Sequence, residues 1–237
     1  MLIHIPHSSI KLTDDVTVPL SDLYSVTDWY TDELFFWSGA EKAIFPWSRL
    51  VCDVERLVND PLDAYGLGMH TTRTISGETY RSDYDGVEET YRLYRTWHAD
   101  LAKKVLDQGH YTDRVVLIDA HSFSEKQILN GSNVIYAMPD ICIGSNPETP
   151  KKLVNLSIDN FSKLGYSVSE NVPYSGALRV AGAESVMIEI NKRVYLTDDF
   201  RRNENFNKLK TDIETVLSYI GEYEIEGKAD RLQVNAS

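Results

Sequence analysis

Three kinds of side chain in this sequence could do chemistry, and they recur at the ends of apolar runs. His7 follows the run Leu2-Ile3-His4-Ile5-Pro6, and His121 closes Val115-Val116-Leu117-Ile118-Asp119-Ala120. Glu189 interrupts Val186-Met187-Ile188 and Ile190, while Asp53, Glu55 and Arg56 cluster at the end of Ser48–Val54. Neutral imidazole and carboxylate are ligands for Zn²⁺, and a catalytic zinc keeps one position open. A buried glutamate without a partner is costly, so Glu189 is either ion-paired or faces a site. A lone histidine after a strand is more often a hydrogen-bonded structural residue than a ligand. Four such run ends together favour a hydrolytic metal centre.

These groups can meet only if the runs are strands of one sheet, since open α/β sheets bind ligands beyond the carboxyl ends of their strands. The chain supports that. Residues 2–6 read as a short strand and 48–54 as a second. The continuous run 115–121 has the pattern of a strand buried on both faces, as in parallel sheets. Further strands are expected at "NVIYAM", "YSVSENV" and "SVMIEINKRVY". Between them, 21–40 reads as a helix with Leu23, Trp29, Leu34 and Phe36 on its apolar side, Ser21 or Thr27 as cap and Gly39 as stop. A helix capped by Asp85 carries Tyr91, Tyr94, Trp97, Leu101 and Val105 on one side. Others run from near Pro150 to Gly165 and through "FNKLKTDIETVLSYIGEY". Residues 60–86 form a long excursion. The alternation predicts an α/β fold.

Other chemistries lack their motifs. There is no G-x-S-x-G elbow, and no G-x-x-x-x-G-K-[ST] or G-x-G-x-x-G for nucleotides. Cys52 and Cys142 form no C-x-x-C pair and read as inert buried thiols, which fits a reducing cytoplasm. The net charge of −12 argues against nucleic acid. No apolar run approaches the roughly 18 residues of a membrane span, and "MLIHIPHSS" has no basic leader.

The blocks "IPHSS", "TDWYTDELF", "SRLVCDVER", "YRTWHADL", "IDAHSF", "PDICIGSN", "GYSV" and "IEINKRVYLTD" occur in the order found in N-formylglutamate amidohydrolases, which the chain resembles from residue 3 to about 199. The resemblance implies a three-layer α/β/α sandwich around a mixed, largely parallel sheet, like that of zinc carboxypeptidases. On this reading residues 1–223 form a single domain and 224–237 a polar tail. One zinc per chain would be held by His7, His121 and a carboxylate, with Asp32 favoured and Asp28 as its rival. Glu189 would be general base and then acid. Arg56 would bind a substrate carboxylate, Arg179 would be a second anion contact, and Asp53 and Asp119 would orient the ligands.

Two blocks depart from the family pattern. Its "DLNR" is Asp53-Val54-Glu55-Arg56 here, which puts an anion beside Arg56 that either pairs with it or selects a positive group on the substrate. Its "GGYITR" is shortened to Gly176-Ala177-Leu178-Arg179-Val180-Ala181-Gly182. The expected activity is hydrolysis of a small N-acyl amino acid, N-formyl-L-glutamate by default. A carboxypeptidase-type peptidase or a degenerate ligand-binding relative are the alternatives.

Overall fold

The computed structural model of the chain describes residues 1–82, 84, 86–110, 114–125 and 138–234, with side chains as far as residue 226. Strands β1 (Leu2–Ile5), β2 (Glu41–Ile44), β3 (Val115–Phe123), β4 (Ile141–Gly144), β5 (Val168–Glu170) and β6 (Ala183–Asn191) share one sheet, in the order β2-β1-β3-β6-β4-β5. Only the β4–β6 pairing is antiparallel. Every residue of β3 is buried, as its unbroken apolar pattern requires of a central strand.

The period-2 alternation of the strands divides the core in two. Ile3, Ile5, Val116, Ile118, Val186, Ile188 and Ile190 point to the larger face. That face is covered by helices α2 (Thr31–Leu34), α4 (Lys151–Lys163) and α5 (Phe206–Val234). Leu2, Val115 and Leu117 point the other way, onto Leu101 and Val105 of α3 (Val87–Gly109). Each aliphatic side chain buried this way contributes about 1.5–3 kcal/mol. Helices thus cover both faces of a mixed sheet, and no helix among the described residues is long and apolar enough to cross a membrane.

Three expected elements are altered. The helix expected over 21–40 is broken into α1 (Leu20–Val26) and α2. Thr27 turns its hydroxyl back to Leu23 O (2.7 Å), the Asp28 N–H donates to His7 O (2.9 Å), and Tyr30 takes a left-handed φ of 60°. Short polar side chains compete in this way with helix continuation. Asp28 and Asp32 therefore do not share a helical face.

Ser48–Val54 is buried but not a strand. Ser48 O accepts from Val51 N at 2.9 Å, and its hydroxyl accepts from Leu50 N, giving turns; the edge strand is the earlier β2. A short apolar run does not by itself distinguish strand from packed loop. Nor does a tail begin at 224: α5 continues to Val234. Buried Glu224 there accepts from the Met1 ammonium (2.7 Å) and from Val116 N (2.8 Å), anchoring the helix to the sheet. Asp85 and residues 133–137 of the expected strand "NVIYAM" lie outside the described residues.

Candidate active site

The same alternation that buries Ile118 and Ala120 in the larger core turns Asp119 and His121 to the opposite face. On β6 it turns Met187 and Glu189 that way, and the register sets Glu189 beside His121. On β1 it does the same for His4, which lies beside Asp119. His7 follows at the carboxyl end of β1. His7, His121 and Glu189 line a cleft of about 420 Å³, which also receives Asp28, Arg49, Asp53, Glu55, Arg56 and Lys192 from the connecting loops.

His7 and His121 are held alike. Nε2 of His7 donates to Asp53 Oδ1 at 2.9 Å, and Nε2 of His121 donates to Asp119 Oδ1 at 3.0 Å. With Nε2 engaged in this way, each ring turns its Nδ1 inward, 3.7 Å and 3.4 Å from the same oxygen, Asp28 Oδ2. His7 Nδ1 is buried and has no hydrogen-bond partner. With both rings neutral, three electron-pair donors face one another and repel unless positive charge, a metal ion or a proton on His121, lies between them. Zinc bonds of about 2.0–2.1 Å in tetrahedral array put ligand atoms roughly 3.3 Å apart, close to the separations seen. The ligand atoms of His7, Asp28 and His121 all lie within 4.8 Å of one another, so these residues fit a small divalent cation. Carboxylates on the far ring nitrogens are the support that metal-binding histidines use.

The electrostatics agree. Burial would raise Asp28, but His121, His7 and Lys192 bring it well below the usual carboxylate range. Burial disfavours a charged His121, yet Asp119 and Asp28 raise it well above the ordinary imidazole range. This is a site with an appetite for positive charge. Glu189 goes the other way. Burial first, with the Asp28 charge added, pushes it up to about 7 against His121, Arg49 and Lys192. Its Oε2 is buried without a hydrogen-bond partner.

Asp32, favoured above as the third ligand, is not in the cluster. It sits in the first turn of α2, half-buried, its carbonyl accepting from Lys42 Nζ at 2.7 Å. The break at Thr27–Tyr30 brings Asp28 to the histidines instead. Arg179 is also displaced: it is exposed and bonds Glu148 through Nε at 2.8 Å, away from the cleft. What its block gives the site is the Leu178 N–H, which donates to Asp119 Oδ2 at 2.8 Å. Arg56 lines the cleft as expected.

Arg49 and Lys192 were not singled out from the sequence. Arg49 donates through Nε (3.1 Å) and Nη2 (2.7 Å) to Asp53 Oδ2, and Lys192 lies 3.7 Å from Asp28 Oδ1. Arg49 stands in the quoted "SRLVCDVER" block, and Lys192 stands three residues after Glu189. Neither position follows from strand alternation, because both belong to connections.

His4, Glu55 and Asp119 form a second cluster of possible ligands. Its hydrogen bonds argue against a cation. Trp97 Nε1 donates to His4 Nε2 at 3.0 Å, so the His4 hydrogen is on Nδ1, and it goes to Asp119 Oδ1 at 3.0 Å. A metal on Nδ1 would place hydrogens on both sides of the Trp97 bond. His4 is a neutral buttress for Asp119.

The sequence model of the N-formylglutamate amidohydrolase family matches residues 1–196. The chain belongs to this family. Among solved structures, the N-formylglutamate amidohydrolase from Ralstonia eutropha JMP134 superposes with a TM-score of 0.83 at 21% identity, covering 95% of this chain and 94% of its own. A gene product from Agrobacterium tumefaciens gives 0.65 at 19% identity, over 93% and 91%. At such identities these neighbours show a shared fold. No curated protein matches the chain. Membership in the N-formylglutamate amidohydrolase family supports a hydrolase acting on a small molecule.

Proposed function

We propose that the protein hydrolyses the amide of an N-acyl amino acid, with N-formyl-L-glutamate as reference substrate and a divalent cation, zinc by ligand type, held by His7, Asp28 and His121. The observation that carries this reading is the convergence of two Nδ1 atoms and one carboxylate oxygen beside a buried carboxyl pushed up to about 7. When bound, the cation would act as a Lewis acid on the amide carbonyl and lower the pKa of water.

The chain's residues do the rest. Glu189 Oε2 takes the proton of the attacking water and returns it to the leaving nitrogen as the C–N bond breaks, releasing formate and the amino acid. A pKa near the working pH suits one group to both transfers. Asp53 and Asp119 fix both imidazole tautomers. Arg56 holds the substrate carboxylate by charge-assisted hydrogen bonds.

Elemental analysis should find one zinc per chain, and N-formyl-L-glutamate should be hydrolysed while short peptides are not. A zinc content unchanged in the His7→Ala, His121→Ala double variant would sink the reading. Arg56→Ala should raise KM about tenfold or more, the value of one charged hydrogen bond. Arg179→Ala should leave KM unchanged, since its guanidinium is engaged with Glu148 outside the cleft. Steady-state kinetics of the two variants make the comparison.

A further inference from the structure

The charges facing the cleft do not cancel evenly. Arg49 is taken by Asp53 through two hydrogen bonds, and Lys192 stands against Asp28. Arg56 is only loosely engaged: its Nε is 3.6 Å from Asp53 Oδ2 and has no hydrogen-bond partner. Arg73 also lines the cleft and makes no ion pair among the described residues. Two guanidinium groups are therefore open to an anion.

On the same wall Glu55 has the opposite need. Its Oε1 is buried without a hydrogen-bond partner. The nearest side-chain nitrogen, His4 Nδ1 at 3.2 Å, has one hydrogen and gives it to Asp119. The other His4 nitrogen accepts from Trp97, so the ring brings Glu55 no positive charge. Arg56, its neighbour in sequence, is paired to Asp53 rather than to Glu55. A carboxylate left unpaired at a cleft wall costs free energy that a ligand cation would recover.

We propose that Glu55 is a specificity residue that binds an ammonium group of the substrate, so that the cleft selects zwitterionic N-formyl amino acids. Arg56 and Arg73 take the α-carboxylate and Glu55 takes the side-chain cation. N-formyl-L-glutamate, a dianion, would bring a second carboxylate toward Glu55 and is the weaker substrate. This rests on the hydrolase reading above and names the substrate class of the same cleft.

The probes are Nα-formyl-L-lysine, Nα-formyl-L-glutamate and the neutral Nα-formyl-L-norleucine, each assayed for kcat/KM with the zinc-loaded protein. The lysine probe should exceed the glutamate probe by about tenfold or more, chiefly through KM, and norleucine should fall between them. Glu55→Gln should erase the preference, and Glu55→Lys should reverse it toward the glutamate probe, a gain that misfolding does not produce. A wild-type preference for the glutamate probe, or a lysine preference surviving in both variants, overturns the proposal. If no formyl amino acid is hydrolysed, the hydrolase reading fails, and calorimetric binding of free L-lysine and L-glutamate decides Glu55 separately. Tighter lysine binding that reverses in Glu55→Lys supports it, and equal binding in both proteins overturns it.

Discussion

Glu189→Gln should lower kcat by about a thousandfold or more, within the range that a positioned acid–base group contributes, while zinc content stays at the wild-type level. The substitution keeps size and shape. It removes only the group that carries the proton, and Glu189 is outside the cluster of His7, Asp28 and His121. The wild-type pH profile carries the same signature. A base must be deprotonated, so kcat/KM should rise with pH through a limb at or below about 7, because a cation beside Glu189 favours its charged form.

Stability should move oppositely. The folded pKa of about 7 lies above the unfolded value near 4.5, so the folded state holds this proton more tightly. Stability then falls as pH rises between those values, and above about 7 the full cost applies. At 1.36 kcal/mol per unit this is about 3 kcal/mol. Glutamine has no such cost. Chelated Glu189→Gln should therefore melt higher than chelated wild type at pH 8, with little difference at pH 4. Equal melting points at pH 8 would mean that Glu189 is not the desolvated acid seen here.

How much of this was legible in the sequence depended on where each residue stands. Asp119, His121 and Glu189 lie within long apolar runs whose alternation fixes the face they turn to, and the parallel register makes His121 and Glu189 neighbours. His7 follows its strand directly. The ordered blocks led to the right family, and the mixed sheet with helices on both faces is the expected architecture. Loop residues were harder. Asp28 depends on the Asp28 N–H to His7 O bond and on the left-handed Tyr30, which no hydrophobic period announces. Arg179 carries a family-like letter in a shortened block, and its guanidinium bonds Glu148 instead of entering the cleft. Ser48–Val54 has a strand's composition but packs as turns that bring Asp53 to His7.

Asp28→Asn should weaken zinc binding by more than about a hundredfold, the upper range for groups that merely support a ligand. Asp32→Asn should leave it unchanged. Asp28 Oδ2 faces both inward Nδ1 atoms, and the Asp28 backbone N–H is tied to His7 O. The amide of asparagine loses the charge that opposes the cation's and offers a weaker oxygen. Its alternative rotamer points an N–H₂ group at the two lone pairs, satisfying them without metal. Asp32 differs because it lies beyond the break, in the first turn of α2 and outside the cleft. Competition with a chromophoric chelator measures both affinities on folded protein. Loss of zinc in Asp32→Asn with retention in Asp28→Asn would reverse the assignment. Loss in Asp28→Asn alone makes the break at Thr27–Tyr30 the feature that builds the site, since an unbroken helix there would carry Asp28 away from His7.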